Sequence, residues 1–124
     1  MRWEELDREA CSVARTLAVV GDRWTLMVLR ECFLGTRRFD EFEQRLGIAR
    51  HVLADRLKKL TEANVLTKVA YQERPRREEY RLTDVGRDLY PVMVTLAQWG
   101  DKHLAGPEGV PLIRTHDTCG HVTT

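Results

Sequence analysis

Apolar positions recur at helical spacing through the first half of the chain and change to strand-like alternation only once. In "CSVARTLAVVGDRW", Val13, Leu17, Val20 and Trp24 stand at i, i+4, i+7 and i+11, the stripe of an amphipathic helix that Gly21 ends. Asp22 is then placed to cap "RWTLMVLRECFLG". There Trp24, Leu26, Met27, Val28, Leu29, Cys32, Phe33 and Leu34 leave almost no polar face, which predicts a central helix stopped at Gly35. In "RRFDEFEQRLG", Asp40 precedes Glu43 by three residues, the spacing of a reciprocal cap, and Phe39, Phe42 and Leu46 form one apolar side of a short helix ending at Gly47. After "GIA", the stretch "RHVLADRLKKLTEAN" carries a spine of Leu53, Leu57 and Leu60, with His51, Asp55 and Lys58 on the opposite side.

From Val65 the period changes. "VLTKVAYQ" and "EEYRLT" are rich in β-branched and aromatic residues and flank an arginine-proline segment, so they read as a hairpin with Pro75 at its tip. Thr83 is placed to cap a long helix to about Leu104, in which Val85, Leu89, Val92, Leu96, Trp99 and His103 keep alternate spacings of four and three, a heptad seam. Pro91 lies inside that helix and predicts a kink. The remaining "GPEGVPLIRTHDTCGHVTT" has turn punctuation and little periodicity, the pattern of an irregular arm.

Helix, central helix, short helix, tight turn, polar-faced helix and hairpin make, in that order, a winged helix-turn-helix. The expected fold is mainly α with a small β-hairpin and a long C-terminal helix, one domain over 1–106 followed by a tail over 107–124. A major groove about 12 Å wide admits one helix, so the helix from about Arg50 to Ala63 is the expected reader of base edges. The hairpin is the expected wing.

Charge sharpens that expectation. The 124-residue chain carries a net charge of only +1, with 43% apolar and 31% charged residues, as in a globular domain. From Arg50 to Arg81, however, nine Lys or Arg face five acids, a local balance of +4 that leaves the rest of the chain net negative. Arg74, Arg76 and Arg77 concentrate at the hairpin tip, where a phosphate backbone would pass. Few and oddly numbered cysteines (Cys11, Cys32, Cys119), no apolar run of membrane length and no signal-like segment predict a reduced, cytosolic protein that stays off the membrane.

Cys11, "GDRWTLMVLRECFLGTRRFDEF" (Gly21–Phe42), "VLADRLKKL" (Val52–Leu60) and "YQERPRREEYRLTDVGRDL" (Tyr71–Leu89) together resemble the HxlR-type family of bacterial winged helix-turn-helix transcriptional regulators. The resemblance implies a DNA-binding regulator that works as a homodimer built from its first and last helices, with two wings and two recognition helices on one pseudo-palindromic operator. Val13, Leu17, Leu89, Val92, Leu96 and Trp99 are then the expected interface. One position departs from the pattern: where members commonly place Ser or Thr before the recognition helix, this chain has Ala49.

The expected contacts to double-stranded DNA are Arg50, His51, Asp55, Lys58 and Lys59 from the helix, Arg37 and Arg38 before the third helix, and Arg74, Arg76 and Arg77 from the wing. Arg56, nearer the flank, is placed to pair with an acid of the domain. The resemblance also makes Cys11 a candidate for an oxidant or electrophile sensor, since some members use a cysteine there; the alternative is a small buried apolar residue. Trp24 and Trp99 are candidates to line a small-molecule effector pocket. His116, Cys119 and His121 in the tail are soft and borderline ligands, one short of the four that a structural zinc site uses. No phosphate loop, nucleophile motif or carboxylate pair indicates an enzyme, and no cofactor is expected. The competing class is a dimeric protein-interaction module on the same scaffold, without DNA binding.

Overall fold

The computed structural model describes residues 11–104 together with Glu5. Within them the elements run α1 (Ser12–Val20), α2 (Arg23–Phe33), α3 (Phe39–Leu46), α4 (Arg50–Glu62), β1 (Leu66–Glu73), β2 (Arg76–Leu82), α5 (Asp84–Arg87) and α6 (Tyr90–Leu104). The tail residues His116, Cys119 and His121 lie outside the described residues. No helix among the described residues is long and apolar enough to cross a membrane.

α2 is the axis of the core. Asp22 caps it by accepting the Thr25 backbone N–H at 3.0 Å, satisfying one of the donors a helix start leaves open. Val28 and Leu29 on α2 are fully buried against Phe42 of α3, Ile48 of the turn, Leu53, Leu57 and Leu60 of α4, and Val65 and Leu66 at the root of the hairpin. Each large aliphatic chain buried this way contributes about 1.5–3 kcal/mol. Leu34 does not join the buried set, because the helix ends at Phe33 and turns Leu34 outward, half exposed. The turn between α3 and α4 depends on Gly47, whose φ of 61° is left-handed and costs glycine nothing.

Two sequence expectations are corrected. The reciprocal cap between Asp40 and Glu43 does not form, because α3 starts at Phe39 with Arg38 as its cap residue and Asp40 already inside the first turn. Asp40 accepts the Glu41 N–H there, its charge still favouring the helix start, and Glu43 turns to Arg50. The long terminal helix, expected to bend at Pro91, instead divides into α5 and α6. Pro91 has no N–H, and its ring would strike the Arg87 carbonyl of a continuous helix. Arg87 therefore ends α5, the Leu89 N–H tightens onto the Gly86 carbonyl at 3.0 Å, and Pro91 takes the first turn of α6, where an N–H would lack an intrahelical partner anyway.

β1 and β2 pair antiparallel from Leu66↔Leu82 to Glu73↔Arg76, with a register shift between Ala70 and Gln72. Thr83 fastens the base of the hairpin: its N–H donates to the Val65 carbonyl at 3.1 Å, and its hydroxyl accepts the Gly86 N–H at 3.0 Å. A Cβ on Gly86 would stand 2.2 Å from the Val65 oxygen, so only glycine lets α5 lie this close to the hairpin. The Tyr80 N–H donates to the Arg37 carbonyl at 2.7 Å. That bond ties β2 to the segment entering α3.

Candidate nucleic-acid interface

Three leucines orient α4. With Leu53, Leu57 and Leu60 at 0% exposure, the helix is fixed in rotation, and His51, Lys58 and Lys59 point to solvent by the 100° periodicity alone. Asp55 and Arg56 flank them and are half-buried. The Arg56 guanidinium meets Asp22 at 3.1 Å and Asp55 at 2.7 Å, so it fastens α4 to the start of α2, in keeping with its expected pairing inside the domain. Asp55 also receives Lys59 at 3.3 Å. Burial alone would raise the Asp55 and Asp22 carboxyls, but the hydrogen bonds and charges of these cations, with Thr25 for Asp22, hold both below the usual carboxylate range.

Ala49 precedes α4 and supplies no side-chain cap, so the first N–H groups of the helix, beside Arg50, receive no side-chain oxygen from it. Arg50 itself is exposed, 3.2 Å from Glu43 and with its guanidinium 4.7 Å from the centre of the Phe39 ring. It thus bridges the two helices of the helix-turn-helix. Arg37 and Arg38 are both exposed. Arg38 lies 4.4 Å over the Tyr71 ring of β1, linking the start of α3 to the wing. This Tyr71 platform was not foreseen, because it joins residues far apart in sequence and leaves no local signature.

Arg74, Arg76 and Arg77 are exposed at the wing tip. Arg76 is shared between Glu73 at 3.4 Å and Glu78 at 3.6 Å, whereas Arg77 stands opposite Gln72 in the ladder. The local positive charge is therefore partly compensated, and Arg74 and Arg77 carry most of what remains.

Behind this surface lies a buried carboxylate that sequence reasoning passed over as part of an apolar helix. Glu31 on α2 is 1% exposed and accepts from Arg45 of α3, from the Thr36 hydroxyl at 3.1 Å and from Arg30 at 3.0 Å. Burial pushes its pKa up, yet the three hydrogen bonds and the Arg45 charge outweigh it and hold the carboxyl below its ordinary 4.5. Glu31 clamps α3 to α2. The signal for it in sequence was a single acid within a largely apolar helix.

Outside the cationic surface, Cys11 is exposed as the cap residue of α1, and Cys32 is buried. Val13 and Leu17 of α1 and Val92, Leu96 and Trp99 of α6 are exposed. Leu89 differs from them, being half-buried against the core of its own chain. Trp24 lines a shallow groove of about 430 Å³ with Arg23, Arg30 and Arg45; Trp99 instead packs on His103 at 5.0 Å.

Residues 19–107 match the profile of the HxlR-like helix-turn-helix family. An HTH-type transcriptional regulator of Mycobacterium tuberculosis, itself uncharacterised, is 50% identical over 112 residues, which is 90% of this chain and 71% of that protein. Among solved structures, PA1607 superposes with a TM-score of 0.83 at 37% identity, covering 95% of this chain and 82% of that one. The reduced form of the redox regulator HypR superposes with a TM-score of 0.69 at 29% identity, covering 74% and 92%. The hairpin is thus the wing of a winged helix, and this chain belongs to the HxlR-like helix-turn-helix family of DNA-binding transcriptional regulators.

Proposed function

We propose that the protein is a homodimeric regulator that reads a pseudo-palindromic operator and changes its grip on it in response to a chemical signal. The observation that carries this reading is α4: its apolar stripe is fully spent inside the chain, while Arg50 at its start and His51, Lys58 and Lys59 away from the stripe are exposed. In the proposed docking α4 lies in the major groove, the open N–H groups after Ala49 and Arg50 meet a phosphate, and His51 and Lys58 approach base edges. Arg37, Arg38, Arg74 and Arg77 meet flanking phosphates, which set register without reading sequence. Asp55 and Lys59, already engaged with each other, orient the face more than they read it.

The second copy is proposed to dock on α1 and α6, where Val13, Leu17, Val92, Leu96 and Trp99 present apolar surface. Two-fold symmetry of the dimer then imposes two-fold symmetry on the DNA, with half-sites about 10 bp apart or a multiple of that. Selection of bound duplexes from a random pool, followed by footprinting, tests this directly. An inverted repeat is expected; a single isolated half-site contradicts it.

Cys11 is proposed as the redox input. It is exposed at the start of α1, beside the proposed dimer contact, and the similar HypR is a redox regulator. Oxidising two thiols to a disulfide gives up two protons and two electrons, which diamide accepts, and a modified Cys11 would favour a different placement of the two recognition helices. Diamide is expected to change operator affinity in the wild type and not in Cys11→Ser. An equal response in both moves the signal elsewhere.

A further inference from the structure

A cavity of about 590 Å³ opens between the end of α2, the base of the wing and the start of α6. Its walls combine an apolar side with a cationic one, and of their residues only Arg37 belongs to the proposed DNA-binding surface. Phe33 and Tyr90, whose rings stand 5.2 Å apart and tilted by 57°, supply with Leu82 an apolar wall. Arg37, Arg81 and Arg87 supply three cations, and none of the described residues that line the cavity is an acid.

These arginines have donors to spare. Arg81 places its Nε and one terminal nitrogen on a single Glu79 oxygen, and Arg87 divides its terminal nitrogens between the Leu82 carbonyl and Asp84. A guanidinium offers five N–H groups, so each keeps some unused. Arg37 has no ion pair among the described residues, although its backbone carbonyl holds the Tyr80 N–H of the wing. A concave site with an apolar wall and a few converging cations suits a flat molecule bearing one negative group.

We propose that this cavity is an effector site for a small aromatic carboxylate, gripped by Arg37 and the spare donors of Arg81 and Arg87, with its ring against Phe33, Tyr90 and Leu82. The regulatory consequence rests on the DNA reading above. Arg37 is a proposed phosphate contact, and a carboxylate bound to it competes with a phosphate for the same charge and repels it. Ligand and DNA therefore oppose each other, and by linkage each weakens the other by the same factor. The site differs from the Trp24 groove, which is smaller and has no connection to the wing among its lining residues.

Calorimetric titration of the full chain tests the site with 1-naphthoate, the uncharged 1-naphthamide and the ringless acetate as probes. Saturable binding of 1-naphthoate is expected, with both controls weaker by about ten-fold or more, the effect of one lost charge-assisted contact or of the ring contacts. Arg37→Ala and Arg87→Gln should each weaken 1-naphthoate by about ten-fold. Arg87 also supports the Leu82 carbonyl, so Arg37→Ala is the decisive variant, because the Arg37 side chain holds no ion pair among the described residues. No saturation by about 10 mM, equal binding of the amide, or an unchanged Arg37→Ala overturns the site.

A duplex of mixed sequence at low salt tests the coupling: 1-naphthoate should lower DNA affinity, and DNA should lower 1-naphthoate affinity equally. Arg50→Ala separates the two readings, since it should weaken DNA and leave 1-naphthoate binding as in the wild type. Arg37-dependent 1-naphthoate binding in a protein that ignores DNA would uphold the site and sink the DNA reading. Binding of both without mutual effect overturns the coupling.

Discussion

Three leucines of the 13-residue α4 have no exposed surface, whereas none of the 15 residues of α6 is buried, although Val92, Leu96 and Trp99 leave 41%, 49% and 58% of their surfaces open. Both helices are amphipathic, but their apolar stripes meet different fates. The stripe of α4 is consumed by α2 and β1 of the same chain, so the helix is held rigidly and its polar face is free for another molecule. The stripe of α6 has no comparable neighbour among the described elements, and neither have Val13 and Leu17 of α1. Scattered exposed apolar residues are ordinary; a row of them at helical spacing on two elements marks a contact surface. The comparison separates a helix whose apolar stripe is covered by its own chain from one whose stripe is proposed to meet a second copy.

The largest effect should come from exchanging equivalent residues of the two stripes. Leu57→Ala is expected to cost about 2–5 kcal/mol of folding stability by emptying a filled core position. Leu96→Ala, measured by urea denaturation at protein concentrations low enough to dissociate a dimer, should cost no more than about 0.5 kcal/mol. Similar losses in both would mean that α6 is packed within its own chain after all.

Glu31 sharpens the account of what holds α4 in place, since it clamps α3, the first helix of the pair, to α2. Its folded carboxyl titrates below its ordinary 4.5, so its contribution is fully present above the unfolded value and is lost as pH falls through the lower, folded one. Thermal melts should therefore show wild type above Glu31→Gln by the widest margin above about pH 5, with the gap narrowing in acid. A gap that widens in acid would contradict the clamp.

The outline of this division was legible in the sequence, and its details were not. Leu53, Leu57 and Leu60 recur with a period that only a half-buried helix explains, and the change of period at Val65 marked the hairpin. Local patterns erred where two local rules competed. Pro91 was read as bending a helix, but the steric conflict with Arg87 was relieved by ending one helix and starting another. Asp40 and Glu43 had the spacing of a cap, but the chain entered α3 two residues earlier, with Arg38 as its cap residue, next to the bond from Tyr80 to Arg37. The exposed cations of the proposed DNA surface were legible as types and positions; their ties to Glu43, Phe39 and Tyr71 were not, because ion pairs and ring contacts between distant segments have no periodicity. Leu89 kept the heptad spacing, yet the break before α6 turned it toward the chain's own core.

Smaller effects probe the polar face. His51→Ala should change the preference among operator variants by about 1–3 kcal/mol where a base contact is lost, read by competition binding. Arg77→Ala should weaken all sequences alike and reduce the log-log salt slope by about 0.9 per lost phosphate contact. Arg76→Ala should do less, because Glu73 and Glu78 already compensate its charge. Base-selective loss from the wing, or sequence-independent loss from His51, would reverse the assigned roles.

The claim that the polar face of α4 serves DNA and the apolar face of α6 a second copy is tested most directly by counting protomers. Sedimentation equilibrium of the free protein, and of its complex with a selected duplex, is expected to give a dimer free and two protomers per duplex. Leu96→Asp should give monomers, since two-fold symmetry places the charge in the interface twice. A wild-type monomer at micromolar concentration that binds duplex DNA one to one would contradict the account.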